Sequence, residues 1–139
     1  MTRTKRYYEY EYFQPNPKNI KAGDCQIRAV CATTGLGWYE VFDRVTEFCR
    51  ENCYMWFSKE GYNYLEEKFG FEKPYTVKRE KGKKAITVQK FCQMNPKGTY
   101  IVSCAHHVVG IKDGKYYDTW NSGDESIYRV YKLEESKCL

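Results

Sequence analysis

The chain has 139 residues, 42% hydrophobic and 17% aromatic, enough for one globular domain with a core and a composition that argues against disorder. No run approaches the roughly 18 consecutive apolar residues of a membrane span, and Met1–Arg6 leads into tyrosines and glutamates, so neither a membrane partner nor a Sec-type signal peptide is expected. The net charge of +5 is local: residues 73–90 hold seven basic residues and one acid, which describes one segment and argues against a nucleic-acid partner.

In chain order, Tyr7–Phe13 reads as an edge strand, and Gln14–Asn19 as a turn-rich loop. Gly23-Asp24 introduces a helix from Cys25 to about Thr34, stopped by Gly35, with Asp24 as the N-cap whose carboxylate would bind backbone N–H groups. Trp38, Val41, Phe42, Val45, Phe48 and Cys49 recur at helical spacing and define a second helix with a core-facing stripe. A third, short helix follows Ser58 and carries Tyr62, Leu65 and Phe69 to Gly70; a fourth is Val88–Met94, capped by Thr87. Between them, Lys78–Lys84 reads as a solvated loop or hairpin tip turning at Gly82.

From Thr99 the period changes. Thr99–Cys104, His107–Lys112, Lys115–Trp120 and Ser126–Leu133 are short β-branched and aromatic segments, and Asp113-Gly114 is a hairpin signal. Helices first and strands second imply an α+β fold, with a lead strand and loop over about 1–22, a helical half over 23–95, an antiparallel sheet over 98–133 and a tail over 134–139. The first helix is apolar on two sides: Ile27, Val30, Cys31 and Thr34 on one, Cys25, Ala29 and Ala32 on the other. It should therefore be central, and its small residues would let a sheet approach closely.

Seven cysteines, at 25, 31, 49, 53, 92, 104 and 138, form an odd set without Cys-x-x-Cys spacing, which fits a reducing, cytoplasmic setting better than a disulfide framework. Cys49 and Cys53 lie one helical turn apart and Cys104 stands near His106 and His107, but these do not assemble the tight pairs of a zinc site, so no metal or other cofactor is expected. Cys25 is distinguished by its place at a helix start, where unpaired backbone N–H groups favour thiolate. The only two histidines, His106 and His107, open a strand in the β half, and alternation lets one of them face Cys25; His106 reads as a structural neighbour. Asp118 or Asn121, after the hairpin, could orient that imidazole, and Asn19, six residues before Cys25, could place an amide over the sulfur beside the Cys25 N–H.

The order of Cys on a first helix, His opening a strand and Asp or Asn shortly after resembles the papain-like cysteine peptidase superfamily, closest to its small bacterial and phage C39-like members. The resemblance spans roughly residues 10–133 and rests on Gly-Asp-Cys25 and His107-Val-Val. It implies a papain-like fold, N-terminal helices packed on a C-terminal antiparallel sheet, and a thiol hydrolase cleaving a peptide or isopeptide amide of a peptide or protein substrate. Carried over residue by residue, it makes Cys25 the nucleophile, His107 the base, Asp118 the orienting group with Asn121 as the alternative, and Asn19 the oxyanion-hole amide. Asn19 stands where the family usually has Gln. That departure supports a second reading, a weak or inactive papain-like scaffold serving as a protein-binding module. Trp120 and Gly110 could shape the cleft.

Overall fold

A computed structural model of the chain describes residues 7–55, 58, 60–79 and 81–134; Met1–Arg6, Glu80 in the basic run, and residues 135–139 with Cys138 lie outside the described residues. The elements are β1 (Tyr10–Tyr12), α1 (Cys25–Thr34), α2 (Trp38–Asn52), a 3-10 turn (Glu60–Asn63) leading into α3 (Tyr64–Phe69), β2 (Tyr75–Thr76), α4 (Val88–Met94), β3 (Thr99–Cys104), β4 (His107–Lys112), β5 (Lys115–Asp118) and β6 (Arg129–Lys132). No helix among the described residues is long and apolar enough to cross a membrane.

Local chemistry sets most boundaries. Gly35 and Gly70 end α1 and α3 in the left-handed conformation, and the Thr87 side chain accepts the Lys90 N–H at the start of α4. β5 stops at Asp118, two residues short of the segment expected from its aromatics, because the Asp118 carboxylate accepts the Thr119 N–H (2.8 Å) and turns the chain out of the ladder. β1 and β6 are likewise shorter than their apolar runs.

The strands form one sheet in the order β1-β5-β4-β3-β6-β2. It is mixed where an antiparallel sheet was expected, since β1 pairs in parallel with β5. The direction of β1 matters to the site. Tyr12 is the register partner of Asp118, so both strands end at the sheet edge where β4 begins with His107, and the loop after β1 leaves from there. An antiparallel β1 would send that loop to the opposite edge.

The helices are not confined to one face, which corrects the simple division into a helical half and a sheet. α1, α2 and α3 cover one face and bury Ile27, Val30, Val41, Val45, Leu65 and Phe69 against Ile101, Val108 and Tyr131. α4 covers the other, where Val88, Phe91 and Cys92 meet Val102, Val109, Ile111, Tyr116 and Val130. Each such side chain, fully buried, contributes about 1.5–3 kcal/mol relative to exposure. On α2, Phe42 remains 38% exposed and stacks on Trp38 at 5.1 Å, so the buried stripe is narrower than the periodicity suggested.

α1 is the central helix, packed on β4 and against α2. A Cβ at Gly110 on β4 would lie 2.8 Å from the Ala29 carbonyl oxygen and 3.1 Å from the Ala32 Cβ. The small face of α1 therefore rests directly on a glycine. Gly110 does not shape the cleft; it sets the height of α1 above the strand that begins with His107.

Candidate active site

Three segments converge at the shared sheet edge. Cys25 is the first residue of α1, His107 opens β4 and Asp118 ends β5. The His107 Nε2 lies 2.6 Å from the Asp118 Oδ2, which leaves Nδ1 for the Cys25 sulfur. Both side chains are well covered, His107 at 11% and Asp118 at 2% exposure. Past the end of the ladder the β4–β5 register brings Trp120 across from His107, and their rings lie 5.0 Å apart. Trp120 itself is partly exposed and forms one wall of the cleft.

The charges follow from this geometry. Burial pushes the Cys25 thiol up, but the hydrogen bond with His107, the Val108 N–H and the positive charges of His107 and Arg28 together bring it below its ordinary value. Burial opposes charging of His107, yet Asp118 and Cys25 outweigh it and raise the imidazole to about 9. Asp118 is desolvated too, and the donors around it still hold it below the usual carboxylate range. The site thus couples a thiol lowered by its partner, an imidazole raised enough to hold its proton at neutral pH, and an ionised carboxylate. Cys25 is set apart from the buried thiols of Cys31, Cys92 and Cys104, each pushed up to about 12 with burial the largest cause. Cys49 is buried in the core and Cys53 closes α2 in the left-handed conformation, so that pair does not face a common site.

Sequence reasoning missed the groups that hold Asp118. Its Oδ2 accepts the Ser122 hydroxyl at 2.7 Å as well as His107, and its Oδ1 faces the Arg28 Nη2 at 3.4 Å and the Thr119 N–H at 2.8 Å. Arg28 also binds the Asp24 Oδ1 at 2.5 Å, one turn back on α1. The expected capping role of Asp24 is corrected here: its side chain makes no cap bond, and its Oδ2 accepts Asn16 Nδ2 (3.1 Å) and Trp38 Nε1 (2.8 Å). Those bonds and the Arg28 charge hold Asp24 below its usual range despite burial. A buried arginine outcompetes the helix N-terminus because it offers a full charge where backbone N–H groups offer partial ones. The signal was present in the sequence: on a helix apolar on both sides, Arg28 has no solvated face.

Asn121 is not on the imidazole; its Oδ1 accepts from the Tyr116 hydroxyl and the Gly123 N–H, because the turn after Asp118 carries it away. His106 is in the β3–β4 turn with φ 56°, outside the strand, so alternation does not govern it, and it lines the cleft together with His107. Asn19 adopts φ 50°, with its N–H on the Asn16 carbonyl. It shares with Cys25 a cleft of about 590 Å3, whose walls include Gln14, another amide that sequence reasoning passed over. The basic run turns at Gly82, φ 82°, away from this cleft.

Such a set can perform nucleophilic acyl chemistry: a thiol shifted toward thiolate by an imidazole that a fixed carboxylate orients, opening on a cleft with amide side chains at the start of a helix. Compared with protein-family models, curated proteins and solved structures, the chain matches none.

Proposed function

We propose that this protein is a thiol hydrolase of papain-like type that cleaves a peptide or isopeptide amide through an acyl-enzyme. One observation carries the reading: Cys25, His107 and Asp118, distant in sequence, meet with the His107 Nε2 2.6 Å from Asp118 and a thiol lowered by its imidazole partner. The motif order that resembles the papain-like superfamily supports it from an independent direction.

The steps follow from the charges. The Cys25 thiolate attacks the carbonyl carbon, and the carbonyl electron pair moves to oxygen. The Cys25 N–H and the Asn19 amide would hold that oxyanion. His107 gives its Nδ1 proton to the departing nitrogen as the C–N bond breaks, leaving a thioester. Water then loses a proton to Nδ1 and attacks, and the C–S bond breaks to release the acid and restore the ion pair. Asp118 keeps the Nε2–H fixed throughout. Incubation with a panel of peptide amides, quenched in acid, should give a mass increase on the Cys25 peptide equal to the acyl group, absent in Cys25→Ala. Turnover should fall about 1,000-fold or more in that variant. Substrate binding without acylation or turnover would favour the protein-binding scaffold.

A further inference from the structure

A second pocket, of about 250 Å3, shares only His106 and His107 with the cleft. Its walls are built from Tyr62 before α3, Ser103 on β3, Val108 at the start of β4, and Arg129 and Tyr131 on β6. Ser103 is the register partner of Arg129, and alternation puts Arg129 and Tyr131 on the same side of β6, the side buried against α1. Tyr62 lies near enough to Cys25 that the thiolate's charge adds to burial in keeping its phenol neutral. The pocket thus adjoins His107, the imidazole partner of the Cys25 sulfur.

Arg129 is its distinctive feature. It is half-buried, none of the lining residues is acidic, and among the described residues it pairs with no carboxylate. Asp118, separated from Arg129 by β4 and β3 in the sheet, is itself engaged by His107, Ser122, Thr119 and Arg28. A partly desolvated guanidinium has given up water without gaining an anion, and its planar fork matches a carboxylate. Tyr62 and Tyr131 supply flat walls for the methylenes of a side chain.

We propose that this pocket receives an Asp or Glu side chain of the substrate, within two residues of the amide attacked by Cys25, and that Arg129 is its ion-pair partner. The proposal rests on the hydrolase reading above. It defines the substrate as an acidic peptide segment, in which the charge near the bond sets the choice of site.

The test uses internally quenched peptides of one frame, differing only by Glu, Gln or Lys at each of the two positions on either side of the cleaved bond. Glu at one position should raise kcat/KM over Gln about ten-fold or more, the range expected of a charge-assisted bond. Arg129→Ala should bring Glu and Gln to parity while the Gln peptide is still cleaved, Arg129→Lys should keep a reduced Glu preference, and Arg129→Glu should favour Lys. Thermal melts of the variants separate these effects from unfolding. Cleavage indifferent to charge at all four positions, or a Glu preference that survives Arg129→Ala, overturns the acidic pocket and leaves the hydrolase standing. Absence of cleavage and of Cys25 acylation with every peptide overturns both.

Discussion

Asp118 gathers four donors onto one carboxylate, and the site depends on that concentration. Replacing it by Asn keeps the volume but removes the charge that raises His107. Asp118→Asn should lower kcat/KM by roughly 100-fold or more, and the alkaline limb of the pH–rate profile should move down from about 9. A loss under ten-fold would remove Asp118 from the orienting role. Ser122→Ala takes away one neutral donor and should cost about 1 kcal/mol in stability and little turnover, as denaturant melts and kinetics would show. Arg28→Met leaves Asp24 and Asp118 buried without their shared cation, so unfolding free energy should drop by about 3 kcal/mol and the Cys25 thiol should titrate higher. Adding Asp24→Asn should recover part of that stability. At this scale the sequence revealed the residues whose chemistry is scarce, one thiol at a helix start and two histidines. Ser122 and the true partners of Asp24 were less legible because their roles depend on how the loops after β5 and before α1 fold back, and the reach of Arg28 to Asp118 arises only when segments 90 residues apart touch.

The helices were legible because Gly35, Gly70 and Thr87 punctuate a 3.6-residue period, and their boundaries follow from side chains close in sequence. Strand pairing was less so. The parallel alignment of β1 with β5 depends on where the chain must deliver Cys25, and two-residue β2 carries no period at all. The close seat of α1 on β4 joins these elements, and the expectation of a close approach holds at Gly110. Gly110→Ala would force its Cβ against the Ala29 carbonyl and lift the helix. It should cost about 1–3 kcal/mol and also slow alkylation of Cys25, because the sulfur moves with the helix. Ile111→Val, on the opposite face of the same strand, should cost about 1 kcal/mol and leave Cys25 unchanged. Equal effects of the two on Cys25 would separate the glycine seat from the site.

For the molecule as a whole, buried charge makes stability depend on pH. Asp24 and Asp118 lie below their ordinary 3.8, so their contribution is present above that value and is lost as pH falls through their lowered values. On the alkaline side the partners oppose each other. The contribution of His107 is complete below 6.5 and is lost as pH rises through about 9, whereas that of Cys25 grows toward its ordinary 9.0. The melting temperature should therefore hold from pH 7 to 5 and decline below about 4, with a shallower acid decline in Asp24→Asn. A flat acid profile would contradict the buried carboxylate network. The two-sided sheet was the least legible feature at this scale, since Val88 and Phe91 on α4 read as another core helix without indicating which face they cover.

The ion pair between Cys25 and His107 is tested most directly by the pH dependence of iodoacetamide alkylation at each cysteine, resolved by peptide mass spectrometry, in wild type and His107→Ala. The predicted result is a Cys25 midpoint below the ordinary 9.0 that rises when His107 is removed, while Cys31, Cys92 and Cys104 stay protonated through pH 10. A Cys25 midpoint at or above 9.0 that ignores His107→Ala would contradict the account.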